Sequence, residues 1–180
     1  LHTRDRRQRQ MCIRDRSVEM HGQMKAYFEK LQSQSGGELK PSRSVVDQSI
    51  PKILAQIDPV WGGLGTGMKF PQVSVFRFLL QSGDPKAVEA ALKTCRRMMD
   101  GGIYDQVMGG FHRYAVDQEW LVPHFEKMLY DQAQLMELYL DAWQITGEQE
   151  FRQVVEGIAN YVLRDLTHPE GGFYCAQDAQ

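Results

Sequence analysis

The sequence predicts an all-α fold built of successive helical hairpins, and three observations carry that prediction. Apolar residues recur at helical spacing in segment after segment, and no stretch alternates as a strand would. A Gly pair followed by a large apolar residue also returns three times between helices. The occurrences are Asp58-Pro-Val-Trp-Gly-Gly-Leu, Met108-Gly-Gly-Phe-His and His168-Pro-Glu-Gly-Gly-Phe-Tyr, with Gly pairs 47 and 62 residues apart. Equivalent turns joining helical hairpins describe a solenoid or a closed toroid. Read singly, each pair is also an ordinary tight turn.

The elements follow in order. Met20, Met24, Tyr27, Phe28 and Leu31 predict a short helix over 18–31, which the Ser/Gly/Pro-rich stretch 33–43 breaks. Ser44 stands as N-cap of a helix through Ile57, with Val46, Ile50, Ile53 and Leu54 on one face. A Gly-rich loop leads to a strongly apolar helix over 72–81. Asp84 caps the next helix, with Pro85 at its first position and Gly101-Gly102 at its end. Pro123 opens a helix to Thr146, stopped by Gly147, and Phe151, Val154, Val155 and Ile158 mark another over 148–166.

At 180 residues, with 42% hydrophobic and 24% charged side chains, the composition is that of an ordinary globular chain. The formal charge of −2 argues against overall attraction to nucleic acid or an anionic membrane. Residues 1–17 stand apart, because positions 1–16 hold six Arg against two Asp. That arm reads as disordered or foreign sequence, or as a basic nucleic-acid contact. It lacks the apolar stretch of a secretory signal, and no apolar run is long enough to span a bilayer. Cys12, Cys95 and Cys175 are odd in number, widely spaced and without a CxxC pair. They predict no disulfide scaffold and a reducing compartment, cytosol or mitochondrial matrix, with Cys95 a small core residue. The expected organisation is an arm over 1–17, a connector helix and linker over 18–43, and a helical domain over 44–180.

Three stretches go further: GMKFP, GGIYDQVMGGFHRYAVDQEWLVPHFEKMLYDQAQL and THPEGGFYCAQDA. They resemble the spermatogenesis-associated protein 20 family, whose members place a thioredoxin-like domain before a six-hairpin α/α toroid similar to glycosidases and to N-acylglucosamine 2-epimerase. The resemblance implies that residues 44–178 form the first part of the toroid, less than half of twelve helices, without the thioredoxin-like domain. A central pocket for carbohydrate with acid/base chemistry follows from the same likeness, and the thioredoxin-like domain becomes an expected partner. The chain departs from the family pattern in reading GGLGTGMKFP for GGFGxAPKFP. Met108 stands for a glycine of GGGFHRY, and CAQDAQ replaces SAEDAD, so Gln177 stands where an acid is expected.

The residues that can carry chemistry cluster in 101–131, a stretch rich in Gly, His and aromatics with little apolar rhythm before Pro123. In a helix opened by Pro123, His124, Lys127 and Asp131 share one polar flank near the N-terminus, an arrangement suited to a carboxylate, phosphate or sugar oxyanion. His124, Asp105 and Asp131 are therefore the catalytic candidates. His112, Arg113, Tyr114, Lys127, Trp120, Tyr104 and Asp178 are the substrate-binding ones. Arg113 is expected to clamp Asp105, Asp117 or a ligand. The sequence offers no paired cysteines or HExxH, so no metal and no cofactor is expected. Three readings remain open: a sugar epimerase or glycosidase, a non-catalytic module binding a ligand or protein, or a purely structural part of a toroid.

Overall fold

The computed structural model describes residues 20–30 and 42–179. The basic arm over 1–17, Cys12 and nearly all of the expected linker over 33–43 lie outside those residues. The chain divides into two compact units, 1–42 and 43–180. Within the first, residues 20–30 form helix α1. Its stripe of Met20, Met24, Tyr27 and Phe28 is exposed, with the Tyr27 and Phe28 rings edge to face.

The second unit is a stack of helices joined by ordered loops. The helices are α2 (Arg43–Leu54), α3 (Val73–Gln81), α4 (Pro85–Asp100), α5 (Leu129–Thr146) and α6 (Gln149–Asp165). Asp84 caps α4 as expected, its carboxylate accepting from the Ala87 amide at 2.9 Å with Pro85 in the first turn. α5 is the hub, packed on α6 and α3, because Leu135, Leu138, Tyr139 and Ala142 repeat at helical spacing and all are fully buried. The core continues through Phe76, Leu79, Cys95, Met98, Phe111, Phe151 and Ile158. Tyr139 places its hydroxyl on the Cys95 carbonyl at 2.8 Å, which satisfies the one polar atom that ring buries. Cys95 is a core residue, its thiol pushed up to about 12 by burial.

Two expectations need correction. Strand pairing exists: β1 (Tyr114–Ala115) pairs antiparallel with β2 (Pro123–His124), and β3 (Lys127–Met128) with β4 (Ala176–Gln177). Accordingly no helix starts at Pro123. The backbone groups a helix needs there are taken by partners distant in sequence. The Val122 carbonyl accepts from the Val116 amide, the Glu126 carbonyl from the Arg113 amide, and the Leu129 amide donates to Cys175. α5 begins only at Leu129, where that pairing ends. Among the described residues, no helix is long and apolar enough to cross a membrane.

The Gly-pair repeat is real at atomic level. Each acid or histidine that opens a loop exchanges backbone hydrogen bonds with the glycines that follow: Asp58 with Gly62 and Gly63, Asp105 with Gly109 and Gly110, and His168 with Gly171 and Gly172. Isolated bridges Ile57–Leu64, Tyr104–Phe111 and Thr167–Phe173 close the three loops in the same way. All six glycines have positive φ. At Gly63 and Gly110 the need is also steric, because a Cβ would come within 2.5 Å of the Trp120 ring and 2.6 Å of the Tyr161 ring respectively.

Candidate functional site

Two of the loops contain the same buried clamp. Lys69 Nζ donates to Asp58 Oδ2 at 2.8 Å and to the Gly62 carbonyl at 2.7 Å. Lys127 Nζ donates to Asp105 Oδ2 at 2.7 Å and to the Gly109 carbonyl at 3.0 Å. The other carboxylate oxygen receives two amides in each loop, Val60 and Trp61 at Asp58, Val107 and Met108 at Asp105. A ring covers each ammonium, Trp120 at 5.7 Å and Tyr161 at 4.3 Å from its centroid. Burial works to raise the Asp105 carboxyl, but Lys127 and the two amides outweigh it and hold it at about 2. Asp105 is thus a fixed anion, poorly suited to proton transfer, and Lys127 is turned inward rather than toward a ligand.

The expected flank of His124, Lys127 and Asp131 does not form, because these residues lie on β2, β3 and α5. His124 stacks on Tyr114 with ring centroids 4.7 Å apart, and Tyr114 packs on Phe70 at 4.8 Å. That three-ring group is partly exposed. Trp120, expected to line a sugar platform, is fully buried, its indole N–H donating to the Trp61 carbonyl at 3.0 Å. Its positive φ of 68° is held by Asp117, whose carboxylate accepts from the amides of Glu119, Leu121 and Val122. Arg113 pairs with neither Asp105 nor Asp117. It donates to Glu126 Oε2 at 2.9 Å. Asp178 is exposed beside β4, its carboxylate accepting from the Ala179 amide. Gln177, where the family pattern has an acid, accepts from the Tyr161 hydroxyl at 2.9 Å and so supports the ring over Lys127.

Two side chains in this block stand out because one atom of each lacks a partner. Among the described residues, the buried side-chain polar atoms without a hydrogen bond are His112 Nδ1 and Asp131 Oδ2. Such atoms are rare in folded proteins, and each calls for an explanation such as a catalytic role or a bound water or ion. Asp131 lies in the first turn of α5, its carboxyl pushed up to about 6 mainly by burial, with Arg113 opposing and Glu126 adding to the rise. His112 is shifted down, chiefly by burial and then by Lys127. It lines a concavity of about 340 Å³ with Tyr104, Asp105, Gln106, Pro123 and Phe125. The Tyr104 ring packs on Phe111 at 4.9 Å and forms one wall. Lys127, Asp105 and His124 act electrostatically on His112, and Arg113 and Glu126 on Asp131.

Sequence reading missed the lysine–aspartate clamp. Its signal was present as Asp-x-x-x-Gly-Gly at Asp58 and again at Asp105. Lys69, fully buried, is invisible to patterning because a lone lysine reads as surface. Gln132, also fully buried, bonds both the amide and the carbonyl of Phe111 and likewise gave no signal.

The chain is 43% identical over 152 residues to spermatogenesis-associated protein 20 of Rattus norvegicus, a match covering 79% of this chain and 19% of that protein. It therefore spans about a fifth of the length of the curated relatives it matches. No family model matches it. Among solved structures it superposes on cellobiose 2-epimerase from Spirochaeta thermophila with a TM-score of 0.61 and 22% identity, covering 76% of this chain and 39% of that one. A glycoside hydrolase family 76 mannosidase from Bacteroides thetaiotaomicron gives 0.59 and 15%, covering 72% and 37%. The shared feature is the fold, part of an α/α toroid.

Proposed function

This chain is a homologue of one segment of the spermatogenesis-associated protein 20 family, and from that premise we propose that residues 101–131 serve a carbohydrate site in which Asp131 transfers protons. The observation that carries the reading is the Asp131 carboxyl itself: half-buried, with its buried Oδ2 lacking a partner, and pushed up to about 6 by that burial. A carboxyl poised there gives up and regains a proton near neutrality, as general acid/base chemistry needs. Burial decides the direction of the Asp131 carboxyl, because Arg113, which lowers it, and Glu126, which raises it, pair with each other at 2.9 Å. The Phe70–Tyr114–His124 rings supply flat apolar faces of the kind a pyranose stacks on. Proton abstraction of the epimerase type fits better than glycoside hydrolysis, because Asp105 is committed to Lys127 and offers no second titrating carboxyl.

A second reading has an observation of its own. The clamp at Asp105 duplicates one at Asp58, so part of this loop is scaffold, and a non-catalytic binding module would need no more. One experiment separates the two. The full-length protein is incubated in D2O with mannose, glucose, cellobiose and N-acetylmannosamine, and deuterium entering the carbon beside the carbonyl is followed by NMR. The expected result is exchange that falls about 100-fold in Asp131→Asn, with a rate that rises with pH through about 6. Exchange unchanged in that variant, or absent with every sugar, removes the catalytic reading.

A further inference from the structure

The His112 concavity is left unused by that chemistry. His112 is 6% exposed as a residue, and its Nδ1 has no hydrogen-bond partner. The charges around it cancel. Asp105 and Lys127 pair with each other at 2.7 Å, so neither an anion nor a cation finds an unbalanced countercharge there. Gln106 donates its amide to the Met99 and Gly101 carbonyls, which leaves only its carbonyl oxygen for a ligand. The walls are flat and apolar: Tyr104, Pro123 and Phe125, the last 64% exposed and edge-on to the His112 ring at 5.1 Å.

We propose that this concavity binds an uncharged, hydroxyl-bearing ring, with a hydroxyl on His112 Nδ1 and the ring's C–H face against Phe125 and Pro123. The imidazole also makes a hydrogen bond with the Phe125 backbone, and a hydroxyl is the group that fits the remaining Nδ1, because it can donate to that nitrogen or accept from it. The downward shift of His112 by burial and Lys127 keeps the ring neutral and agrees with that assignment.

The test uses the full-length protein and methyl β-D-glucopyranoside, a locked neutral ring with no free carbonyl for proton abstraction. Methyl glucuronide and glucose 6-phosphate serve as anionic controls. Binding is read from the ¹⁵N shift of the His112 imidazole and from the titration curve. The neutral glycoside is expected to bind and to move the Nδ1 resonance, and each anionic control to bind at least about fivefold more weakly. His112→Phe is expected to lose about tenfold in affinity, the worth of one hydrogen bond of about 1 kcal/mol or slightly more. Phe125→Ala, on an exposed side chain whose removal spares the core, is expected to lose about threefold. Asp131→Asn is expected to bind the glycoside within twofold of wild type even where it abolishes deuterium exchange. The proposal is overturned if the glycoside leaves the imidazole unmoved, if the anionic rings bind as tightly, if Phe125→Ala binds like wild type, or if Asp131→Asn loses the glycoside.

Discussion

The loops at 58–69 and 105–127 are built on one plan and used differently. Both start from an aspartate, turn through two glycines of positive φ and close on a buried lysine under an aromatic ring. In the first, the lysine follows the second glycine by six residues. In the second it follows by seventeen, and the excursion between carries His112, Arg113, the β1–β2 ladder and the Asp117 turn. His112 lies within that excursion and Asp131 just beyond its closing lysine. A rigid clamp therefore holds both ends of the insert that bears the candidate chemistry, and the shorter loop shows what the clamp looks like with nothing added. The third loop keeps the turn but has His168 in the acid's place, its Nδ1 accepting from the Glu170 amide.

Removing a lysine from each clamp breaks the comparison most severely. Lys69→Met leaves the Asp58 carboxylate buried without its cation, a loss of about 3–5 kcal/mol for a pair of this kind. Lys127→Met is expected to cost less, because the Asp105 side chain is 21% exposed against 7% for Asp58. Urea unfolding of the full-length protein and its two variants checks the order. Equal losses, or a larger one at Lys127, would mean that the two clamps do not differ in the way their burial implies.

A smaller effect comes from acid. Lys127 and two backbone amides hold the Asp105 carboxyl at about 2 in the fold against an ordinary value of 3.8, so its folded-state pKa is depressed. Its contribution is therefore present above about pH 4 and is lost as pH falls toward 2, amounting to about 2 kcal/mol by linkage. Asp105→Asn is less stable than wild type at neutral pH, and the gap closes below pH 3. Stability measured across pH 2–7 in both proteins tests this, and a gap that persists at pH 2 would assign the loss to packing instead.

Much of the fold was legible because helical spacing and helix ends are local. Asp84-Pro85 capped α4 where expected, Gly147 ended α5, and the Gly pairs marked equivalent turns. The start of α5 was not legible. Pro123 is a good first residue of a helix, and only pairing with residues 114–116 and 175–177 makes it a strand instead. That misplacement put His124, Lys127 and Asp131 on one flank. Trp120 and Lys127 misled for the opposite reason: an aromatic and a cation in a Gly-rich loop look ligand-facing, while both complete buried clamps. Asp131 was among the catalytic candidates, but the burial that raises its carboxyl comes from tertiary packing and has no local signature.

The most direct measurement is the titration of the Asp131 carboxyl, followed by ¹³C NMR in the full-length protein with Asp131→Asn fixing the assignment. A midpoint about 2 units above that of an ordinary aspartate, near pH 6, is the predicted result. A midpoint near 4 would place Asp131 among solvated surface acids and remove it as the proton-transfer group.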